Sequence, residues 1–140
     1  MDPTLSSTVD LVRGTRLLVV DDDSAMRQWL KDLLATAGAS LREAASGLEA
    51  LTLLANETPF DMVVTDVCMP TPSGVQLVAM ARTAGYSVPF LVMTAFPSDK
   101  IMSAVDGIDD AILLHKPFGA SELFGAMLEL LGLGSQRNSG

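Results

Sequence analysis

Short, almost uninterrupted apolar runs alternate with amphipathic segments along the chain, beginning near Arg16. Such runs favour β-strands that are covered on both faces, as in a parallel sheet. Their alternation with helical segments is typical of βα units in an α/β fold. The predicted strands are 17–20, 40–44 (the weakest), 62–65, 90–93 and 112–114.

The segments between the runs have the spacing of helices that bury one face. In the first segment Arg27 and Lys31 lie on the polar side, and Gly38 is placed to end the helix. Its apolar stripe consists of Met26, Trp29, Leu30, Leu33 and Ala37. Gly119 is predicted to cap the last helix, with Glu122 near its positive end. The further predicted helices are 47–56, 74–84, 98–106 and 120–131.

The length of 140 residues fits one domain with a single core. We expect that domain to span 15–131. Residues 1–14 are expected to form a flexible leader, since they carry acidic residues and lack the apolar run of a signal peptide or membrane anchor. Residues 132–140, rich in Gly and Ser, are expected to form a flexible tail or a truncated linker.

Charge and cysteine content narrow the possible functions. The chain has 17 acidic and 9 basic residues and a formal charge of −8, which repels nucleic-acid phosphate and argues against direct nucleic-acid binding. Its single cysteine, Cys68, excludes an internal disulfide and favours a reducing compartment, so we expect a cytoplasmic protein without a membrane partner.

Polar side chains that can carry chemistry follow four of the predicted strands. In an open parallel sheet the binding crevice lies at the carboxyl ends of the strands, so these residues are expected to meet there. Each alone has an ordinary explanation, because Asp often caps helices and a Thr or Lys at a strand end needs no function. Together they indicate a site. The set is Asp21, Asp22, Asp23, Asp66, Thr94 and Lys116.

The combination of residue types suggests phosphoryl chemistry. Clustered carboxylates repel one another and therefore raise their pKa values or bind a cation, and oxygen ligands of this kind suit Mg²⁺. A central carboxylate such as Asp66 can act as a nucleophile and form an acyl phosphate. Thr94 can donate a hydrogen bond to a phosphate oxygen, and Lys116 can pair with the same group as a point charge.

Four short motifs in this order resemble the receiver domain of two-component response regulators. They are VVDDD at 19–23, DVCMP at 66–70, TA at 94–95 and KPF at 116–118. The resemblance covers about 16–131. It implies a flavodoxin-like (βα)5 fold, a doubly wound parallel sheet of five strands in the order 2-1-3-4-5 with helices on both faces.

The resemblance also implies roles for individual residues. Asp66 corresponds to the phosphoacceptor and Asp22 to the direct Mg²⁺ ligand. Asp21 corresponds to the acid that holds the ion through water, and the backbone carbonyl of Cys68 to a further ligand. Asp23 matches no family role and is expected to start the first helix.

Thr94 corresponds to the switch hydroxyl and Lys116 to the phosphate-pairing ammonium, preceding a cis Lys116-Pro117 bond. Many receivers carry an aromatic ring three residues before that lysine, whereas this chain has Leu113. The segment 106–112 is longer than the common family spacing, so we expect an altered fourth helix or a longer loop there. His115, which could be imagined as a relay histidine or a metal ligand, is expected to be structural.

Two side chains bear on the lifetime of the phosphoryl group. The resemblance implies that Cys68 and Phe96 occupy positions facing it, and neither is an acid or amide that would orient an attacking water. We therefore expect slow hydrolysis of phosphorylated Asp66. Phe96 could equally well be a partly exposed apolar residue of a loop, with no role at the site. Cys68 is not expected to be a redox sensor, because an acidic surround raises a thiol pKa.

The expected function is that of a receiver, not an enzyme. It would accept a phosphoryl group from a histidine kinase or phosphotransfer protein. Phosphorylation would switch a face formed by the fourth helix, fifth strand and fifth helix, and the domain would act through a downstream protein or a missing effector domain. Homodimerisation on phosphorylation is a further possibility. One alternative is a pseudo-receiver that binds without phosphorylation. The other is an aspartate-nucleophile phosphatase of the haloacid-dehalogenase type, suggested by Asp21-x-Asp23 and the Asp109-Asp110 pair, although Lys116 follows that pair instead of preceding it.

Overall fold

The strands form one five-stranded parallel sheet in the order β2-β1-β3-β4-β5, as the resemblance implied. The structure is a computed structural model and describes residues 12–57 and 59–132. Residues 1–11 of the predicted leader 1–14 and residues 133–140 of the predicted tail 132–140 lie outside this part. The strands are β1 (Arg16–Val20), β2 (Ser40–Ala44), β3 (Met62–Asp66), β4 (Phe90–Thr94) and β5 (Ala111–His115).

Helices alternate with these strands and begin at well-defined caps. Ser46, Ser73 and Ser98 each accept a hydrogen bond from a backbone N–H in the first turn of the helix that follows. At the last helix, the predicted cap Gly119 is confirmed, and its N–H donates to the Glu122 carboxylate at 2.9 Å. The helices are α1 (Ser24–Thr36), α2 (Gly47–Asn56), α3 (Gly74–Thr83), α4 (Asp99–Asp106) and α5 (Ala120–Leu130).

Successive strand residues point to opposite faces of the sheet and build two separate cores. Leu17 and Val19 pack with residues of α1 and α5 on one face. Leu18 and Val20 pack with residues of α2, α3 and α4 on the other. Because both faces are covered, the central strands are apolar at nearly every position, which is why their sequence pattern is a run and not an alternation.

The predicted apolar stripe of α1 is partly wrong. Leu30, Leu34 and Ala37 are buried and Met26 and Leu33 pack against the same core, whereas Trp29 is 40% exposed. Trp29 lies at the border of the stripe and contacts the Phe118 ring, with the ring centroids 5.7 Å apart. The buried face of the helix therefore includes Leu34, which the prediction omitted, and has Trp29 at its edge.

The connection into β5 is short. Only 107–110 separates α4 from β5, so the longer loop expected before Lys116 is absent. Helix α4 itself has eight residues, fewer than any other helix bounded within the described residues. Among those same residues, no helix has the length and apolar character needed to span a bilayer.

Candidate functional site

The parallel register brings four strand ends to one edge of the sheet. Val20 pairs with Ala44 on one side and Thr65 on the other, and Thr94 pairs with His115. The residues that follow β1 and β5, and the last residues of β3 and β4, therefore lie side by side. Asp66 and Thr94 belong to their strands, one residue further than the apolar runs predicted.

Asp21 is held rigidly at the end of β1, with 1% of its surface exposed. Its N–H donates to the carbonyl of Ala44 at 3.1 Å. One carboxylate oxygen, Oδ1, accepts the N–H of Asp23 at 2.9 Å. The other, Oδ2, is buried and has no hydrogen-bond partner within 12–57 and 59–132. Asp23 caps α1 by accepting from Ala25 N–H at 3.0 Å, which confirms it as the helix-start acid.

Asp66 ends β3 and is 7% exposed. The chain passes from it into α3 through a close backbone approach. Gly74 donates its N–H to the Val67 carbonyl at 3.0 Å, and a Cβ placed on Gly74 would overlap the carbonyl oxygen of Asp66. The absence of a side chain at Gly74 is thus what lets α3 begin against the end of β3.

Lys116 completes a charged cluster with the two buried acids. Its Nζ lies 3.0 Å from Oδ1 of Asp66 and 3.6 Å from Oδ2 of Asp21. Its backbone N–H donates to the Thr94 carbonyl at 2.7 Å. The peptide bond to Pro117 is cis, as the resemblance implied. A second cis bond, Thr71-Pro72, was not anticipated.

The close packing of these charged groups shifts the pKa values of Asp21 and Lys116. Burial raises the pKa of Asp21 above its usual value of 3.8, and the neighbouring carboxylates of Asp66 and Asp22 add to the rise, against the hydrogen bond from Asp23 and the charge of Lys116. Burial alone would lower the pKa of Lys116, but the carboxylates of Asp66 and Asp21 outweigh it, so that pKa is raised. The ammonium is therefore firmly protonated at neutral pH.

The donor set fits a hard divalent cation. Asp21, Asp22 and Asp66 each offer a carboxylate oxygen, and these oxygens lie within 4.8 Å of one another. All are oxygen ligands, one comes from an exposed side chain that water can reach, and the buried Oδ2 of Asp21 accepts no hydrogen bond within the described residues, although it lies 3.6 Å from Lys116 Nζ. Mg²⁺ prefers oxygen ligands and keeps several waters, so the residues present suit it.

Thr94 is fully buried, and its hydroxyl oxygen accepts the N–H of Phe96 at 3.1 Å. A hydroxyl that accepts one hydrogen bond can still donate its own proton. Phe96 is 75% exposed and Cys68 is exposed in the loop after β3. Leu113 is half-buried in the core shared with α2, α3 and α4, where it offers no aromatic ring.

Arg27 belongs to the site, although its sequence position placed it only on the polar face of α1. Its guanidinium Nη1 donates to the Asp21 carbonyl at 2.6 Å, and its Nε lies 3.3 Å from Oε1 of Glu43. Periodicity could not reveal this contact. A sequence signal for it does exist, because helical side chains lean towards the N-terminus of their helix. A long side chain near the start of a helix can therefore reach back to the preceding loop.

Two candidate residues from the alternatives do not join the cluster. Asp109 and Asp110 precede β5, and the Asp110 carbonyl accepts the N–H of Phe90 at the start of β4. They therefore lie at the amino ends of the strands, at the opposite edge from Asp21 and Asp66. His115 ends β5 with an exposed side chain and is not part of the acidic group.

Comparisons with known proteins agree on one family. The family model "Response regulator receiver domain" matches residues 17–128. The response regulator MprA of Mycobacterium sp. (strain KMS) is 42% identical over 118 residues, and that of Mycobacterium bovis (strain BCG / Pasteur 1173P2) is 40% identical over 120. The matches cover 83% and 84% of this chain but 50% and 51% of the relatives, so the chain spans about half their length.

Solved structures show the same architecture. The signal receiver domain of an HD domain-containing protein from Pseudomonas fluorescens Pf-5 superposes with a TM-score of 0.77 at 27% identity, covering 85% of this chain and 95% of that one. The chemotaxis protein CheY4 of Vibrio cholerae superposes with a TM-score of 0.75 at 29% identity, covering 83% and 98%.

Proposed function

The chain belongs to the response-regulator receiver domain family, a class of signalling domain in two-component systems, and we propose that Asp66 is its phosphoacceptor. The phosphoryl group would come from a phosphohistidine of a histidine kinase or phosphotransfer protein. One observation carries the proposal: Lys116 Nζ lies 3.0 Å from Asp66 in a cluster where Asp21 and Asp22 bring two more carboxylates. Three acids around one ammonium leave net negative charge that a divalent ion would balance.

The proposed reaction transfers the phosphoryl group between two nucleophiles. A carboxylate oxygen of Asp66 attacks phosphorus, the new O–P bond forms, and the P–N bond to the donor imidazole breaks with its electron pair remaining on nitrogen. Mg²⁺, held by Asp22 and Asp66 with Asp21 through water and the Cys68 carbonyl, would offset the charge on the phosphoryl oxygens. Lys116 would pair with one of those oxygens, and Thr94 would donate its hydroxyl proton to another.

The response to phosphorylation would start at Thr94. Drawing its hydroxyl towards the phosphoryl group would break the bond it accepts from Phe96 and bias the β4–α4 loop between two arrangements. We propose that this repacks the face made by α4, β5 and α5, with Leu113 packing where other receivers place a ring. Chemical shifts recorded with beryllofluoride and Mg²⁺ should change between 94 and 131, and changes confined elsewhere would refute this output face.

The acceptor is tested by mass spectrometry after incubation with acetyl phosphate. Wild type should gain one phosphoryl group with Mg²⁺ and none with EDTA, whereas Asp66→Asn should gain none. Asp109→Asn, an exposed acid at the opposite edge, is the matched control and should label like wild type. Labelling of Asp66→Asn to the same extent would reject Asp66 as the acceptor.

The labelling experiment and two further assays, with beryllofluoride and with small phosphomonoesters, separate the alternatives. A pseudo-receiver would gain no mass and would give no response to beryllofluoride. A phosphatase would release inorganic phosphate from small phosphomonoesters with many turnovers, whereas a receiver labels itself and turns over slowly. The position of Asp109 and Asp110 away from the acidic cluster argues against the phosphatase.

A further inference from the structure

The β1–α1 loop is fastened by a side chain that belongs to neither the acids nor the phosphate contacts. Arg27, 18% exposed, donates from Nη1 to the backbone carbonyl of Asp21 at 2.6 Å. The same guanidinium reaches Glu43 on β2, with Nε 3.3 Å from Oε1. The other oxygen of Glu43 lies 3.7 Å from Lys31 Nζ on the surface. Arg27 thus bridges the acidic loop and the edge strand.

This contact completes the restraint of Asp21. Its N–H is bound by Ala44, its Oδ1 accepts from Asp23, and its carbonyl accepts from Arg27. Because a peptide unit is planar, fixing the Asp21 carbonyl also fixes the direction in which Asp22 leaves it. Within 12–57 and 59–132, the Asp22 side chain makes no hydrogen bond or ion pair of its own. The position of its carboxylate therefore depends on the backbone that carries it.

We propose that Arg27, oriented by Glu43, is a positioning residue for the Asp21–Asp22 acid pair and thereby sets the affinity of the site for Mg²⁺. The inference rests on the proposed function, because it assumes that this pair holds the ion. It goes beyond it by assigning ion affinity to a side chain that contacts neither ion nor phosphoryl group. Groups that orient metal ligands typically change metal affinity by roughly 10- to 100-fold when they are replaced.

The charge of Arg27 and the restraint it provides predict opposite changes in Mg²⁺ affinity when Arg27 is replaced. A positive guanidinium next to the loop that carries Asp21 and Asp22 repels a divalent cation bound there, so removing its charge should tighten Mg²⁺ binding. If Arg27 acts by restraining the β1–α1 loop, its removal should weaken Mg²⁺ binding, because the freed loop must be ordered again whenever the ion binds. Arg27→Lys separates the two further, since it keeps the charge but loses the planar fork that joins Asp21 to Glu43.

The test is an MgCl₂ titration of the full chain, followed by amide chemical shifts of residues 21–23 and 66. Arg27→Gln and Arg27→Lys should each raise the Mg²⁺ Kd about tenfold. Lys31→Gln is the matched control, since Lys31 contacts the same glutamate but not the loop, and its Kd should stay within about twofold of wild type. The apo melting temperature of each variant reports whether the fold survives.

A second measurement distinguishes positioning from general damage. At saturating Mg²⁺, the acetyl phosphate labelling rates of Arg27→Lys and wild type should converge, because the ion itself then orders the loop. An unchanged Kd in Arg27→Lys, or a lower Kd in Arg27→Gln, would overturn the inference while leaving the proposed function standing. Failure of wild type to bind Mg²⁺ at all would instead overturn the proposed function.

Discussion

The ammonium of Lys116 lies 3.0 Å from the carboxylate of Asp66 and 3.6 Å from Oδ2 of Asp21, a buried oxygen that accepts no hydrogen bond within the described residues. The chain therefore carries a built-in cation among its acids. In the absence of Mg²⁺ this ammonium offsets part of the repulsion between Asp21 and Asp66. When an ion binds, it must share the same carboxylates with Lys116.

Removing that ammonium should strengthen ion binding. Lys116→Met is expected to lower the Mg²⁺ Kd by roughly fivefold, corresponding to about 1 kcal/mol of lost charge repulsion at a partly solvated site. An MgCl₂ titration measures the change. Lys100→Met, which removes an exposed charge on α4, is the control and should leave the Kd unchanged. Weaker binding in Lys116→Met would show that the lysine organises the acids more than it repels the ion.

Neutralising Asp21 should stabilise the metal-free protein. Its pKa is raised on folding, so the ionised form at neutral pH costs stability. That cost shrinks as the pH falls below the folded-state pKa and is gone below the usual value of 3.8. Asp21→Asn should therefore melt a few degrees higher than wild type in EDTA at pH 7, and the difference should shrink as the solution is acidified.

The same substitution should reduce the increase in melting temperature that Mg²⁺ gives, since ligand stabilisation follows ion affinity. Thermal melts with EDTA and with MgCl₂ measure both effects, and Asp109→Asn provides the exposed-carboxylate control. A lower melting temperature for Asp21→Asn in EDTA would contradict the raised pKa.

Adding one methyl group beside the acceptor should be harmful. In Gly74→Ala the new Cβ would meet the carbonyl oxygen of Asp66 and lie 2.9 Å from the Val67 Cα, both backbone atoms that cannot swing away. Overpacking of this kind costs about 1–3 kcal/mol, and we expect labelling of Asp66 to fall as well.

The matched control is Gly125→Ala on α5, where an added Cβ meets nothing within 4 Å. Alanine has the higher helix propensity, so this variant should gain up to about 1 kcal/mol. Urea denaturation of both variants gives the comparison. Equal stabilities would show that the entry into α3 can relax.

The phosphoryl group should hydrolyse slowly. Cys68 and Phe96 offer neither an acid nor an amide side chain to orient water, and the Phe96 side chain is 75% exposed. Release of inorganic phosphate from the purified acyl phosphate in Mg²⁺ should be slow, and Cys68→Asn should accelerate it. Cys68→Ser, which adds no amide, is the control. Loss of phosphate from wild type within seconds would rule the prediction out.

The sequence predicted strands best where both faces are covered. The apolar run at 62–65 predicted an internal strand, but the predicted strand ended one residue short because Asp66 is polar, although it is buried within β3. Arg16 was likewise left outside β1, since no hydrophobic pattern records that its backbone carbonyl accepts the N–H of Asp61 at 2.7 Å. Boundaries failed where a ladder hydrogen bond outweighed side-chain character.

The acids, the hydroxyl and the lysine were recognisable because parallel strands end at one edge. Arg27 was not, since its role depends on the path of a flexible side chain across the first turn of α1 to a backbone carbonyl. Trp29 was assigned to the core for its apolar character, but it lies beside Phe118 and remains 40% exposed. Periodicity identifies a helix face but not where a neighbouring loop covers it.

The hydrogen bond from Lys116 N–H to the Thr94 carbonyl joins two residues far apart in the chain. Their separation in space depends on the register of β4 and β5 and not on the segment between them. Helix α4 and its loops could therefore gain, lose or exchange residues while the hydroxyl and the ammonium kept their spacing. One stretch of the chain is thus free to diverge in what it presents to other proteins, although it is anchored at both ends by residues whose arrangement is held constant.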